Sequence, residues 1–135
     1  MQLVVDSNIL FAALIRDSLT RRLFTDLDAG FFMISYNYEE LNEHKQELLK
    51  KSGLNSVGFE LILEQISKKC ILIDDRQLLI CWKEATEIMD MIDPDDTPFI
   101  AAALAADADI WSDDLHFRKQ SKIKIWKTED LAKLF

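Results

Sequence analysis

Apolar and polar residues alternate along this chain in two different patterns. Short apolar runs stand at Leu3–Val5, Phe31–Ser35, Cys70–Ile73, Asp109–Ser112 and Ile123–Trp126. Between these runs the apolar residues recur at helical spacing. Continuous apolar runs separated by amphipathic segments are typical of buried parallel strands that are covered by helices on both faces. The pattern therefore predicts an α/β fold, a three-layer α/β/α sandwich with a central parallel sheet of about five strands.

The predicted helices lie between these strands. We expect helices over about residues 10–27 (broken at Arg16–Ser18, with Ser18 as a second N-cap), over Asn37–Lys51, from Asn55 or Ser56 to beyond Ile66, up to about Met91, over Phe99–Ala106, and after Thr128. The segment Asp93–Pro98 holds two prolines and three acids, which predicts a loop with Thr97 as the cap of the next helix. Because that next helix is almost wholly Ala, Ile and Leu, we expect it to be buried.

Length and composition describe an ordinary globular protein. The 135 residues predict one domain, residues 1–135, and a core large enough to fold without a disulfide or a structural metal. No apolar stretch approaches the length of a membrane span, and no charged leader precedes the first strand, so we expect a cytoplasmic protein. Cys70 and Cys81 stand apart among apolar neighbours, and we interpret them as buried thiols.

The charge of the chain is unevenly distributed. A formal net charge of −8 argues at first against a nucleic-acid partner, because neutralising phosphates normally requires a basic face. However, charged residues from Asp74 to Asp114 are mostly acidic, and those from Leu115 to the end are mostly basic. This division suits a protein that concentrates cations in one cleft and meets polyanions nearby. A solvated charged surface explains most of these residues equally well.

Four carboxylates occupy comparable places beside the predicted strands. Asp6 ends the first strand, Glu40 lies in the first turn of the helix after the second, and Asp96 directly precedes the buried helix. Asp114 follows the fourth strand. Carboxyl ends of parallel strands meet at one edge of a sheet, where ligands bind in open α/β folds. Because gathered carboxylates repel one another, and because oxygen ligands select hard ions, the pattern predicts Mg²⁺ or Mn²⁺ at this edge.

Each of these acids also has a purely structural explanation. Asp6 could cap the first helix, and Glu40 could complete a capping box with Asn37. Asp96 could be an acid favoured at a helix start, and Asp114 could cap a short helix that follows it. Four separate caps explain the shared strand-end positions less well than one common site does.

Four segments of the chain resemble a known family in order and spacing. They are Val4–Leu10, Ile34–Leu41, Asp93–Leu104 and Ala108–Phe117. Together they resemble the PIN-domain family of small metal-dependent nucleases, which includes VapC-like toxins of prokaryotic toxin–antitoxin pairs. The first segment alone is unspecific, but the series covers nearly the whole chain.

The resemblance implies a function and a set of site residues. It implies a Mg²⁺- or Mn²⁺-dependent endoribonuclease that acts on single-stranded RNA, with an antitoxin protein as a partner. The implied catalytic residues are Asp6, Glu40, Asp96 and Asp114, of which Asp6, Asp96 and Asp114 hold the metal. Asn8 and Ser112 match the small polar residues that accompany these acids. Glu40 would orient the attacking water or act as its base.

Some assignments remain open at this point. Glu39 or Glu43 would replace Glu40 if the helical register slips. Asp113 stands where the family often has Gly or Asn, so the choice between Asp113 and Asp114 as the ligand stays open. Asp93 would add a fifth, outer acid.

Other residues carry weaker signals. The two histidines, His44 and His116, are ambiguous, and a surface or supporting role is the simpler interpretation for His44. The segment Phe11–Ile15 is more apolar than one buried helix face requires, which suggests a homodimer or antitoxin contact. Basic residues that could hold an RNA backbone are Arg118, Lys119, Lys122 and Lys124, although a solvated edge explains them as well.

Two other functions compete with the nuclease. A phosphatase of the haloacid-dehalogenase type would use Asp6 as its nucleophile, but it needs a second Asp two residues later, where Asn8 stands. A PIN-like fold kept as a binding or scaffold module is the non-catalytic alternative, and the presence of all four acids argues against it.

Overall fold

The computed structural model describes residues 1–15 and 18–134. The strands are β1 (Gln2–Val5), β2 (Gly30–Ile34), β3 (Cys70–Ile73), β4 (Asp109–Trp111) and β5 (Ile125–Trp126). The helices are α1 (Ser7–Ile15), α2 (Ser18–Asp26), α3 (Ser35–Ser52), α4 (Ser56–Lys68), α5 (Asp75–Met89), α6 (Thr97–Ala106) and α7 (Thr128–Ala132). Short 3-10 helices span Pro94–Asp96 and Leu115–Lys119.

The strands form a single five-stranded sheet in the order β3-β2-β1-β4-β5, and every neighbouring pair is parallel. Strand β1 lies at the centre, where Val4 is paired with Phe32 on one side and with Ile110 on the other. The predicted parallel sheet is therefore confirmed, and β5 is an outer strand of the sheet as expected. All carboxyl ends of the strands lie at one side of the sheet, which we call the C-terminal edge.

Successive strand residues pack on opposite faces of the sheet. Leu3 and Val5 join a core cluster with α1, α2, α3, α4 and α7. Val4 and Ile110 belong to a second cluster, built with α5 and α6. Burial on both faces explains why the strands are continuous apolar runs rather than alternating ones. The three-layer α/β/α architecture follows directly from these two cores.

Several predicted element boundaries need correction. Helix α3 begins at Ser35 rather than Asn37, and the predicted loop before α6 contains the 3-10 helix Pro94–Asp96. Thr97 is the buried first residue of α6, and Asp96 takes the cap position instead. The expected break after α1 lies mainly outside the described residues, and α2 begins at Ser18.

The remaining general expectations concern the cysteines and membrane association. Cys70 and Cys81 are free thiols, and both are half-buried rather than fully buried. Burial raises the pKa of the Cys70 thiol to about 12, so that this thiol stays protonated at neutral pH. Over residues 1–15 and 18–134, no helix is both long enough and apolar enough to cross a membrane.

Candidate active site

Asp6 lies at the centre of the C-terminal edge, directly after β1, and is only 5% exposed. Ser112 donates a hydrogen bond from Oγ to Asp6 Oδ2 at 2.7 Å, and the backbone N–H of Asn8 also donates to this carboxyl. The pKa of Asp6 is raised to about 6, mainly by burial and then by the charges of Asp114 and Glu40, against the lowering effect of the two hydrogen bonds. Asp6 does cap α1, as the structural explanation proposed, but it also faces two other carboxylates.

Glu40 is held at this edge by a small buried network. Ser7 Oγ donates to Glu40 Oε1 at 2.6 Å, and Asn37 Nδ2 donates to Ser7 Oγ at 3.2 Å. Asn37 Nδ2 also donates to the carbonyl of Val5 at 3.0 Å, while its Oδ1 accepts from the N–H of Ile34 at 2.8 Å. The capping box proposed for Asn37 and Glu40 is therefore wrong. Asn37 instead joins the end of β1 to the start of α3.

The roles of Ser7 and Asn37 were missed in the sequence. Asn37 is fully buried, yet an Asn near a helix start most simply indicates a cap. A signal was present in Ser7, a small polar residue between two polar residues at the end of a central strand. Sequence pattern alone does not connect the two, because 30 residues separate them.

Asp96 has other carboxyls around it and a buried oxygen that no donor in the described part of the chain satisfies. Its Oδ2 atom is buried and has no hydrogen-bond partner among the described residues, and its side chain makes no cap bond to α6. The pKa of Asp96 is raised to about 7, mainly by burial and then by the charges of Asp93, Asp6 and Asp114. A side-chain hydrogen bond with Asp93, which the protonated carboxyl of Asp96 makes, adds to the rise. A buried oxygen without a donor normally carries a cost of about 1–3 kcal/mol, so a helix cap does not account for this side chain.

The neighbours Asp113 and Asp114 point to different surroundings. Both oxygens of Asp113 accept hydrogen bonds from Thr128, from its N–H at 2.8 Å and from its Oγ1 at 2.7 Å. Asp114 Oδ1 accepts from the N–H of His116 at 2.9 Å, and the N–H of Asp114 donates to Ser112 Oγ at 3.0 Å. Of these two neighbours, Asp114 is the one whose charge contributes to the raised pKa of Asp6. The geometry favours Asp114 over Asp113 as the fourth acid of the site.

His116 brings a nitrogen to the same edge. Its Nδ1 atom lies 3.3 Å from Asp114 Oδ1 and 3.5 Å from Asp93 Oδ2. In the part of the chain that the structure describes, Asp93, Asp96 and His116 each place a ligand atom within 4.8 Å of the other two. Of the three predicted metal ligands, Asp96 is in this group, and Asp6 and Asp114 are not. Asp93 thus joins the acids as the outer carboxylate that the sequence suggested.

The family model of the PIN domain matches residues 4–134. The chain belongs to the PIN-domain family. Among solved structures it is similar to the crystal structure of VapBC2 from Rickettsia felis bound to a DNA fragment from their promoter, with a TM-score of 0.69 and 16% identity over 94% of this chain and 98% of that chain. At this identity the likeness concerns the fold, and no curated protein matches the chain in sequence.

The acids at the C-terminal edge of this PIN domain, which we call the acidic edge, fit a divalent cation. The residues present supply carboxylate oxygens and one imidazole nitrogen, both common metal ligands. The orphaned Asp96 Oδ2 is a buried acceptor that a cation would satisfy. Burial and then repulsion by neighbouring carboxyls raise the pKa values of Asp6 and Asp96, and a positive ion would favour their charged forms.

The basic residues that the sequence offered for RNA binding lie on the segment that follows Asp114. Arg118 is 3.9 Å from Asp130, and Lys124 lies over the ring of Trp126, 4.0 Å from its centroid. Lys119 and Lys122 are exposed. Part of this charge is therefore used within the fold, and part is available to an outside partner.

Proposed function

We propose that this protein is a metal-dependent endoribonuclease that hydrolyses phosphodiester bonds of single-stranded RNA. The whole chain, residues 1–135, would form the nuclease domain, acting in the cytoplasm. The observation that supports the proposal best is the buried, partnerless oxygen of Asp96 beside the charges of Asp6 and Asp114. A fold that needed only helix caps at this edge would not leave such an atom uncompensated.

In this proposal Asp6, Asp96 and Asp114 hold Mg²⁺ or Mn²⁺. When bound, such an ion lowers the pKa of a water and offsets the negative charge that develops on the phosphate. Ser112 positions Asp6 through its 2.7 Å hydrogen bond. Asn8 contributes its backbone N–H to the same carboxyl, and its exposed side chain is available to contact the substrate or a ligand.

Glu40 is the proposed base or orienting group for the attacking water. Ser7 holds one oxygen of the Glu40 carboxylate, so that the carboxylate has a defined direction. Asn37 in turn holds Ser7, which makes Asn37 a positioning residue. Proton transfer requires such alignment within hydrogen-bond reach of the water.

The direct test is cleavage of a fluorescent single-stranded RNA with Mn²⁺ or Mg²⁺. The wild-type protein should cut the RNA, addition of EDTA should stop cleavage, and Asp6→Asn should reduce the rate by at least about 100-fold. Asp95→Asn, which changes an exposed acid next to the site, should retain activity. Release of phosphate from a small phosphoester, without RNA cleavage, would indicate a phosphatase. The absence of both reactions would indicate a scaffold.

We further propose that the protein acts as the toxin of a toxin–antitoxin pair. The VapBC2 structure is named for such a two-component assembly, and the present chain shares its fold. Phe11, Ala12 and Ile15 are only half-buried and line a groove of about 400 Å³ together with His44 and Leu48. This groove is our candidate for an antitoxin or homodimer contact. Light scattering of the protein alone, and copurification with the product of an adjacent gene, test the two partners separately.

A further inference from the structure

We infer that His116 and Asp93 are further ligands of the ion that Asp96 holds, and that the nitrogen of His116 shifts the ion preference of the site from Mg²⁺ towards Mn²⁺. The inference rests on the proposed metal-dependent function and adds to it a residue outside the four acids. The ligand atoms of these three side chains lie within 4.8 Å of one another, close enough to share one ion.

The local fold holds His116 towards the acids. The 3-10 helix Leu115–Lys119 begins at the Asp114 cap, and the next residue after His116, Phe117, is fully buried. Phe117 packs edge-on against Phe99 of α6, with ring centroids 6.1 Å apart. This packing fixes the turn beside the start of α6, where Asp96 lies. His116 is therefore placed near the acids by core packing as well as by its charge contacts.

The unpartnered oxygen of Asp96 supplies an independent reason for an ion here. Pairing of the imidazole with Asp93 and Asp114 alone would explain the 3.5 Å and 3.3 Å distances from Nδ1. However, that pairing leaves Asp96 Oδ2 buried without a partner. An ion between Asp93, Asp96 and His116 would satisfy this oxygen and the imidazole nitrogen together.

The presence of a nitrogen ligand changes which ion is favoured. Mg²⁺ binds oxygen ligands and retains its waters, whereas Mn²⁺, as a transition-metal ion, accepts an imidazole nitrogen more readily than Mg²⁺ does. A set of carboxylates alone would discriminate little between Mg²⁺ and Mn²⁺. Adding His116 should increase the affinity for Mn²⁺ while leaving the affinity for Mg²⁺ nearly unchanged.

Pulsed electron paramagnetic resonance of the Mn²⁺-loaded protein tests the contact directly. An imidazole nitrogen bound to Mn²⁺ modulates the electron-spin echo, and labelling the protein with ¹⁵N-histidine changes the modulation frequencies without altering the fold. The chain has two histidines, so His44→Gln is a matched control. We expect nitrogen modulation in the wild type and in His44→Gln, and its loss in His116→Gln.

Titration calorimetry measures the consequence for affinity. His116→Gln should weaken Mn²⁺ binding by about tenfold or more and change Mg²⁺ binding less than twofold. Bound Mn²⁺ without histidine modulation in the wild type would overturn the inference and leave the proposed nuclease intact. No binding of either ion would instead overturn the metal-dependent function. Circular dichroism of each variant separates loss of ligand from loss of fold.

Discussion

At the scale of single residues, the acidic edge contains two carboxyls whose charged forms are unfavourable without a cation. The pKa of Asp6 is raised to about 6 and that of Asp96 to about 7, in both cases mainly by burial and then by neighbouring acids. The protein keeps these groups although they destabilise the metal-free fold at neutral pH. Strongly perturbed carboxyls gathered at a strand-end crevice are a feature of functional sites.

Replacing Asp96 by Asn should therefore stabilise the metal-free protein. The substitution removes a negative charge that faces Asp6, Asp93 and Asp114 while retaining the size of the side chain. We expect the Tm in EDTA to rise by a few degrees, and the increase in Tm that Mn²⁺ causes in the wild type to disappear. Differential scanning calorimetry with and without Mn²⁺ measures both effects.

The exposed neighbour Asp95 provides the control for that experiment. Asp95→Asn removes a charge from the same 3-10 helix, and it should leave the Mn²⁺-dependent shift in Tm as it is in the wild type. A metal-free Asp96→Asn protein that melts below the wild type would show that Asp96 stabilises the start of α6.

The raised pKa values also predict how the stability of the metal-free protein depends on pH. Between about pH 4 and pH 7 the folded state binds more protons than the unfolded state, whose Asp pKa is about 3.9. The free energy of unfolding must then fall as pH rises through the folded pKa values of Asp6 and Asp96. In EDTA we expect the Tm to be several degrees higher at pH 5.5 than at pH 8. The profile should flatten in Asp96→Asn, and a wild-type Tm that increases towards pH 8 would contradict the argument.

At the scale of secondary-structure elements, most of the fold could be predicted because burial on both faces leaves a clear pattern. The central strands are continuous apolar runs, and the helix of α6 is apolar almost throughout. Predicted boundaries were wrong where a tertiary contact decides them. Asn37 indicated a helix start, but its amide reaches the carbonyl of Val5 on another element, and α3 begins two residues earlier.

The candidate site was predictable to a similar extent. Strand-end positions identified Asp6 and Asp114, because parallel strands place such residues at one edge. The choice between Asp113 and Asp114 required the contact with Thr128, which lies 15 residues away. The association of His116 with Asp93 required the packing of two separate 3-10 helices, which sequence pattern does not reveal.

Replacement by Asn should therefore affect stability at Asp113 and metal binding at Asp114. Asp113→Asn weakens both hydrogen bonds from Thr128 that join the end of β4 to the start of α7. We expect it to lower the free energy of unfolding by about 1–2 kcal/mol and to leave Mn²⁺ affinity unchanged. Asp114→Asn should abolish Mn²⁺ binding with a smaller effect on metal-free stability. Urea denaturation and calorimetric titration of both variants provide the measurements, and loss of Mn²⁺ binding in Asp113→Asn would reverse the assignment.

At the scale of the whole molecule, the charge is divided between an acidic edge and a basic segment beside it. The net charge of −8 would repel RNA if it were evenly spread. Instead the exposed Lys119 and Lys122 lie on the basic segment that joins β4 to β5. A phosphate backbone that binds this segment would meet positive charge on a protein that is acidic overall.

Removing those two charges should therefore weaken RNA binding without affecting metal binding. In an Asp6→Asn background, where RNA is not cut, Lys119→Ala with Lys122→Ala should raise the RNA Kd by about tenfold at low salt and reduce the slope of log K against log salt by about 1.4. Lys68→Ala with Lys69→Ala makes the same change in charge just before β3, the outer strand on the side of the sheet away from β5. If both pairs weaken binding equally, RNA is attracted by overall charge alone. A selective effect of the first pair means that the backbone binds the segment between β4 and β5, because the two variants differ in where the positive charge is lost.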